Sequence, residues 1–306
     1  MSTPLVLGTR GSDLALAQSR SIAERLRREA GIATRLEIIK TTGDREQALP
    51  ADAPAWSMGA FVKELETALL EERIDLAVHS YKDMATAPTP GLAVAAVPER
   101  ADPHDVLVCS SSATQNAIER VVHGDEDADS LFVVGTSSPR RAAQLRSSLG
   151  CSVATLRGNV PTRLNKLESA AATGQMHAIC IAAAGLERLK ITPEHAISLP
   201  IDRFPTAAAQ GALAVQTRRD EPRVSELAAL EHEPTRRATD AERSFLRAIE
   251  AGCHTPAAAY ATCDGNEVTL RAEMFDAALN RSSAECTGRD PVAVGQQAAA
   301  RVLACR

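Results

Sequence analysis

The sequence predicts an α/β protein with two α/β domains and a small C-terminal α+β domain carrying an antiparallel sheet. From residue 5 to about 218, short apolar or β-branched runs alternate with amphipathic stretches, the order expected of βα units around mostly parallel sheets. After about residue 225 a helical stretch (235–251) is followed by three strand-like runs and a last helical run, as in an antiparallel sheet covered by helices. The 306 residues, 44% hydrophobic and 24% charged, suffice for several ordinary globular cores.

The strand candidates are LVLGT (5–9), RLEIIKT (35–41), LAVHS (76–80), LAVAAV (92–97), DVLVCS (105–110), LFVVGTS (131–137), SVATLR (152–157), AICIAAA (178–184) and ALAVQT (212–217). Between the first two, Ser12 and Asp13 cap a helix that Gly31 closes. Phe61, Val62, Leu65, Ala68 and Leu69 share one face of another helix. HGDEDADS (123–130) reads as a solvated acidic loop. Beyond the helix at 235–251 come AAAYATC, EVTLRAEMF and SSAECT as strands and PVAVGQQAAARVLA as a helix. PERADPHD (98–105) and residues 198–206 interrupt the pattern.

Composition excludes several classes. No apolar run approaches the roughly 20 residues of a membrane span, and MSTPLVLG lacks the basic and apolar regions of an export signal, so a soluble cytoplasmic protein is expected. Seven scattered cysteines without a CxxC suit neither a disulfide framework nor a zinc site, and no metal is expected. With 3% aromatic residues and a net charge of -5, nucleic-acid binding is not expected. The basic residues are lopsided: lysine occurs only at 40, 63, 82, 166 and 190, so 34 − 5 = 29 are arginine, a bias that composition alone does not interpret.

Five stretches place chemistry at strand-to-helix junctions or in turns. In GTSSPRRAAQL (135–145), a serine or threonine caps a helix whose first turn holds Pro139, Arg140 and Arg141. Unpaired N–H groups, hydroxyls and two guanidinium forks make an anion receptor; two solvated arginines fit equally well. LRGNVPTRLNKL (156–167) repeats the layout with Arg157, Gly158, the cap Asn159, Pro161 and Arg163, and GTRGSDLALAQ (8–18) adds Arg10 ahead of Ser12. Ligands of open α/β sheets bind at such strand ends. VHSYKD (78–83) ends a strand in Lys82 and Asp83, either an orienting or catalytic pair or a solvated ion pair. In AGCHTPAAAY (251–260), Cys253 occupies a turn, where it is either one more inert thiol or a reachable nucleophile, whereas Cys109 and Cys180 read as inert fillers of apolar strands.

Together with FVKELETALL, AAAGLERL, AAAQGALAV and AERSFLRAIEAGCHTP, these stretches resemble porphobilinogen deaminase (hydroxymethylbilane synthase) over nearly the whole chain. The resemblance implies three domains, two of them similar to periplasmic anion-binding proteins, with the chain returning to the first through AAAQGALAV, so that the expected domains are 1–99 with 207–230, 103–204, and 231–306. It implies a transferase of tetrapyrrole (heme) biosynthesis that joins four porphobilinogen molecules on a covalent dipyrromethane primer, releasing ammonia and then the linear tetrapyrrole. By the same resemblance Cys253 is the thioether anchor and Asp83 the catalytic carboxylate. Lys82, Ser137, Arg140, Arg141, Arg157, Arg163 and Arg188 then hold the cofactor, while Arg10, Ser12 and Gln210 meet the substrate. A monomer is expected. The logic is electrostatic: each pyrrole ring carries an acetate and a propionate, which permanently charged planar forks suit better than lysine. Loss of ammonia leaves a cationic methylene-pyrrole that a carboxylate stabilises. Met58, Ala85, Ala209 and Gln216 depart from the commonest family pattern, standing where lysine-bearing glycine loop, proline, glycine and glutamate are usual.

Two other readings share the residues. A solute-binding protein would clamp an anion in the same cleft, but leaves Cys253 and the third domain without a purpose. A phosphate-transferring enzyme would use the helix starts, but the sequence has no P-loop.

Overall fold

A computed structural model describes residues 3–40, 62–125, 131–252 and 254–305. Phe61, Met58, the second half of the acidic loop and Cys253 lie outside these residues.

The first sheet contains β1 (Leu5–Thr9), β2 (Thr34–Ile38), β3 (Leu76–Ser80), β4 (Leu92–Ala96) and β10 (Leu213–Arg218), in the order β2-β1-β3-β10-β4. Its helices are α1 (Asp13–Ala30) and α2 (Lys63–Leu70). Ser12 Oγ accepts from the Ala15 N–H at 3.4 Å, and Gly31, with φ 67, lets the chain leave α1 through a left-handed residue. Leu65, Ala68 and Leu69 form the buried face of α2, as their spacing predicts.

The second sheet contains β5 (Asp105–Cys109), β6 (Val133–Gly135), β7 (Ser152–Ala154), β8 (Ala178–Ala182) and β9 (Ala196–Ser198), in the order β7-β6-β8-β5-β9. It packs with α3 (Ser112–Val122), α4 (Pro139–Leu149), α5 (Val160–Ala171) and α6 (Ala183–Arg188). Both sheets share one plan. Three strands run parallel, and the next strand, β10 in the first sheet and β5 in the second, runs antiparallel to both of its neighbours. The expectation of mostly parallel sheets holds, four of five strands in each sheet pointing one way; β5 and β10 are reversed because these two strands carry the chain across from the other sheet and enter from the opposite end. The last sheet is an antiparallel meander of β11 (Ala257–Asp264), β12 (Glu267–Phe275) and β13 (Arg281–Gly288), covered by α7 (Glu233–Ala248) and α8 (Pro291–Ala304).

Several boundaries also move. The run expected as a strand over 178–184 stops at Ala182, and its last two alanines open α6. The strand expected over 152–157 ends at Ala154, and β9, too short to show a period, is absent from the sequence reading.

The crossing segments are joined by buried polar groups. Arg100, placed by its sequence in a charge run, is half-buried and donates to both Glu242 carboxylate oxygens at 2.8 and 3.0 Å and to the Gln210 carbonyl at 2.6 Å. Fully buried Glu242 also accepts the N–H groups of Ala209 and Ala261. Ala209 has φ 60; left-handed backbone costs a residue with a Cβ about 1–2 kcal/mol, and Glu242 holds it in place. Gln216 is buried and donates to Glu66 at 2.9 Å, so a carboxylate there would face another carboxylate.

Gly211 sits at the crossing with φ +85, and a Cβ on it would lie 2.4 Å from the Ala101 carbonyl oxygen. Gly31 has φ +67 but nothing within 4 Å. Gly31→Ala should therefore cost about 1 kcal/mol, from backbone alone, and Gly211→Ala roughly 3 kcal/mol or more, from backbone plus overlap. Urea midpoints test the difference; equal losses would mean that the crossing yields easily.

Candidate active site

The strand ends of the first and second sheets face a common cavity of about 430 Å³. Arg10 reaches it from the end of β1, Ser12 from the cap of α1, and Lys82 and Asp83 from a single 3-10 turn (Tyr81–Asp83) that follows β3. From the second sheet come Ser137 between β6 and α4, Arg141 from the first turn of α4, Arg157 after β7, Arg163 from α5 and Arg188 from α6. His254, next in sequence to Cys253, also lines it.

Local sequence explains how these groups are presented. Ser138 caps α4 and Asn159 caps α5, each accepting a first-turn N–H, and each helix has proline in its first turn. Ser137 Oγ donates to the Leu156 carbonyl at 2.7 Å, tying one junction to the other. Arg163 Nε donates to the Gly158 carbonyl at 2.8 Å, and Arg188 Nη2 to the Gly211 carbonyl at 2.6 Å, so both forks are held by backbone from behind.

Behind the cavity lies a residue the sequence reading missed. Asp105, 1% exposed at the head of β5, accepts from Arg140 Nη1 at 2.7 Å through one oxygen. Its other oxygen accepts from Arg141 Nη2 at 2.6 Å and Arg141 Nε at 3.0 Å. The same oxygen accepts from Gln210 Nε2 at 2.8 Å, while Gln210 Oε1 accepts from Lys82 Nζ at 3.1 Å. One amide thus links a lysine of the first sheet to a carboxylate of the second. A signal was present: an aspartate opening a wholly apolar strand requires a cationic partner.

Two expectations change here. Arg140, expected to clamp a ligand, does not line the cavity: its Nη1 is used by Asp105, Gln144 and the Pro205 carbonyl. Gln210, expected to meet the substrate, is fully buried and does not line the cavity either, because its amide is spent on Lys82, Asp105 and the Pro103 carbonyl. Arg10, Ser12, Lys82, Asp83, Ser137, Arg141, Arg157, Arg163 and Arg188 all line it, joined by Gln18 and Ser80, which hydrogen-bond to each other at 2.8 Å.

The cavity has a surplus of positive charge. Arg10, Lys82, Arg141, Arg157, Arg163 and Arg188 line it against Asp13 and Asp83, six cations to two carboxylates among the described residues. Burial, with Arg141 nearby, pushes Lys82 down to about 8, and Asp83 and Asp105 only partly oppose this. Burial pushes Arg163 and Arg188 down to about 10, Arg141 adding to the effect at Arg163. At Asp105 burial works against ionisation, yet Arg140 and Arg141 outweigh it and hold the carboxyl well below the usual range. Cys109 and Cys180 are pushed up to about 12 by burial, which makes them the inert fillers expected. No group of histidine, cysteine and acidic residues that would hold a metal occurs among the described residues.

The fold and the cavity define a two-lobed α/β protein with a cation-rich cleft in which two exposed carboxylates, Asp13 and Asp83, stand. A sequence profile described as "Porphobilinogen deaminase, dipyromethane cofactor binding domain" matches residues 5–226, and one described as "Porphobilinogen deaminase, C-terminal domain" matches residues 237–304. The chain is 41% identical to the porphobilinogen deaminase of Rubrobacter xylanophilus, covering 99% of this chain and 95% of the relative. It is 40% identical to that of Moorella thermoacetica, covering 97% and 92%. A probable porphobilinogen deaminase of Methanosarcina acetivorans is 40% identical over 89% of this chain and 81% of its own length. A solved periplasmic substrate-binding protein of a Coxiella burnetii ABC transporter is similar with a TM-score of 0.41 and 11% identity, covering 78% of this chain and 96% of that one. The chain belongs to the porphobilinogen deaminase family.

Asp105→Asn should destabilise the protein by about 3–5 kcal/mol at pH 7, because two buried guanidinium groups lose their carboxylate. Since the folded protein holds this carboxyl low, its contribution is complete above the unfolded value near 3.9 and is lost as pH falls below it. Urea midpoints taken from pH 7 to acid should fall more steeply below about pH 4 in the wild type than in Asp105→Asn. Parallel curves would remove Asp105 from the acid limb.

Proposed function

We propose that this cleft joins four porphobilinogen molecules head to tail, with Asp83 as the carboxylate that assists loss of ammonia and Cys253 as the anchor of a dipyrromethane primer. The observation that carries the reading is the meeting of Asp83 with six cations from both sheets in one cavity. A dipyrromethane bears four carboxylates, and the residues fit it: buried cations whose charge the protein does not balance are stabilised by an anion brought between them. Arg141, Arg157, Arg163 and Arg188, with Lys82 and Ser137, would hold the cofactor, and Arg10 and Ser12 the incoming substrate. When bound, the cofactor supplies a nucleophilic pyrrole carbon and keeps the growing chain attached. His254 lining the cavity supports Cys253 as the anchor, since the two are adjacent in sequence. Arg140 and Gln210 serve from behind, by fixing Asp105, Arg141 and Lys82.

Porphobilinogen is oriented by its acetate and propionate against guanidinium forks, which accept carboxylates in pairs of hydrogen bonds. As its amine leaves, positive charge spreads over the pyrrole and its methylene. Asp83, exposed at the cavity wall, stabilises that charge more than the neutral ring that precedes it. Lys82, about 8 and therefore mostly protonated at neutral pH, supplies a positive charge beside the carboxylates without approaching them as a planar fork.

No described helix is long and apolar enough to cross a membrane. We further infer three domains with boundaries near 99–103, 204–207 and 230, and a cytoplasmic monomer that binds neither nucleic acid nor membrane.

Asp83→Asn keeps size and removes charge, so single-turnover kinetics should show the chemical step slowed by about 10²- to 10³-fold with a smaller change in affinity. Asp83→Glu should retain more activity. Near-normal chemistry in Asp83→Asn would defeat the proposed role.

A further inference from the structure

Tyr81, the residue before Lys82 and Asp83, has no role in the cleft: it is 4% exposed and does not line the cavity. Its ring lies under the guanidinium of Arg243 on α7, 4.4 Å from ring centroid to guanidinium carbon. Arg243 is itself 8% exposed. Its Nη1 donates to the carbonyls of Tyr81 at 3.4 Å and Met84 at 3.2 Å, and its Nη2 donates to the Ala85 carbonyl. One helical turn on, Arg247 Nη2 donates to the Thr86 carbonyl at 2.9 Å.

The turn has little support of its own. A single 3-10 turn closes one internal bond, from the Met84 N–H to the Tyr81 carbonyl at 3.3 Å, and Tyr81 N–H is held by the Ala212 carbonyl at 3.1 Å. The carbonyls on both sides of Asp83 are otherwise gathered by α7. Only a planar fork can lie on an aromatic face while donating from its edge to several carbonyls, so lysine would not substitute fully. The helix that makes this clamp ends at Ala248, five residues before Cys253.

We propose that Arg243, stacked on Tyr81, is a positioning residue that sets where Asp83 stands in the cleft, so that the same helix leads to the cofactor anchor and places the catalytic carboxylate. The proposal rests on the function proposed above. Arg243 touches neither substrate nor cofactor; it acts through the turn. A displacement on the order of 1 Å at a catalytic group costs about 10²-fold in rate.

The test is a double-mutant cycle on the full-length, cofactor-loaded protein with porphobilinogen as substrate. Arg243→Gln should lower kcat by about 10- to 100-fold while KM changes less than about threefold, and Arg243→Lys should fall between it and the wild type. In an Asp83→Asn background, Arg243→Gln should lower kcat by less than about threefold, because the carboxylate it positions is already gone. Amide exchange at residues 82–86 should rise in Arg243→Gln, which is read without turnover. If Arg243→Gln does not fold, Tyr81→Leu enters the same cycle with the same expectation. The same fold loss with and without the Asp83 carboxylate, or an unchanged kcat in a folded Arg243→Gln, overturns the proposal. A wild-type protein that consumes no porphobilinogen overturns the function proposed above instead, and unchanged exchange at 82–86 then overturns the clamp separately.

Discussion

The buried carboxylate of Asp105 is the interaction on which the cleft depends. It stands where the chain enters the second sheet, takes hydrogen bonds from Arg140 and Arg141, and receives Gln210 from the segment returning to the first sheet. Charge buried on this scale is favourable only when every partner is in place, and removal of one partner leaves the others uncompensated. The cluster holds two guanidinium groups against one carboxylate, and Lys82 adds a further cation through Gln210. Positive charge is therefore left over on the side that faces the cavity. Arg141 belongs to both worlds, lining the cavity while bonded to Asp105.

That arrangement explains why the arginines are unequal. Arg140 is buried with its Nη1 bonded to Asp105 and Gln144, whereas Arg163 and Arg188 are steadied by single backbone carbonyls and keep their remaining donors for the cleft. A protein that must carry a lengthening string of acetates and propionates needs a surface of cations that stay charged when partly buried. Arginine at about 10 still does so at neutral pH. In the proposed function Asp83 has a distinct task, as the carboxylate among these cations where positive charge develops on the substrate.

What the sequence made legible was local. Caps such as Ser12, Ser138 and Asn159, prolines in first turns and apolar faces such as Leu65, Ala68 and Leu69 declare themselves within a few residues. The arginines at strand ends were legible for the same reason, because a strand, a cap and a helix start stand in sequence. Asp105, Arg100, Glu242 and Arg243 were not, since their partners are distant in the chain: Arg100 meets Glu242 across 142 residues, and Arg243 reaches the Tyr81 carbonyl across 162. Arg100, Glu242 and Arg243 each read locally as an ordinary surface charge, whereas Asp105, opening an apolar strand, announces that a cation is needed but not which one. The directions of β5 and β10 were likewise hidden, because an apolar run does not state from which end it enters a sheet. Cofactor and catalytic roles came from the resemblance to a family, which periodicity and spacing alone would have left divided between an anion binder and an enzyme.

In the proposed function a cationic cleft works on a primer that stays on the protein, and the mass of the denatured chain tests that pairing most directly. Protein purified from cells that make porphobilinogen should carry an excess equal to two linked pyrrole units, and Cys253→Ser should show the bare chain. A wild-type chain of bare mass, or a Cys253→Ser chain still carrying the excess, would contradict it.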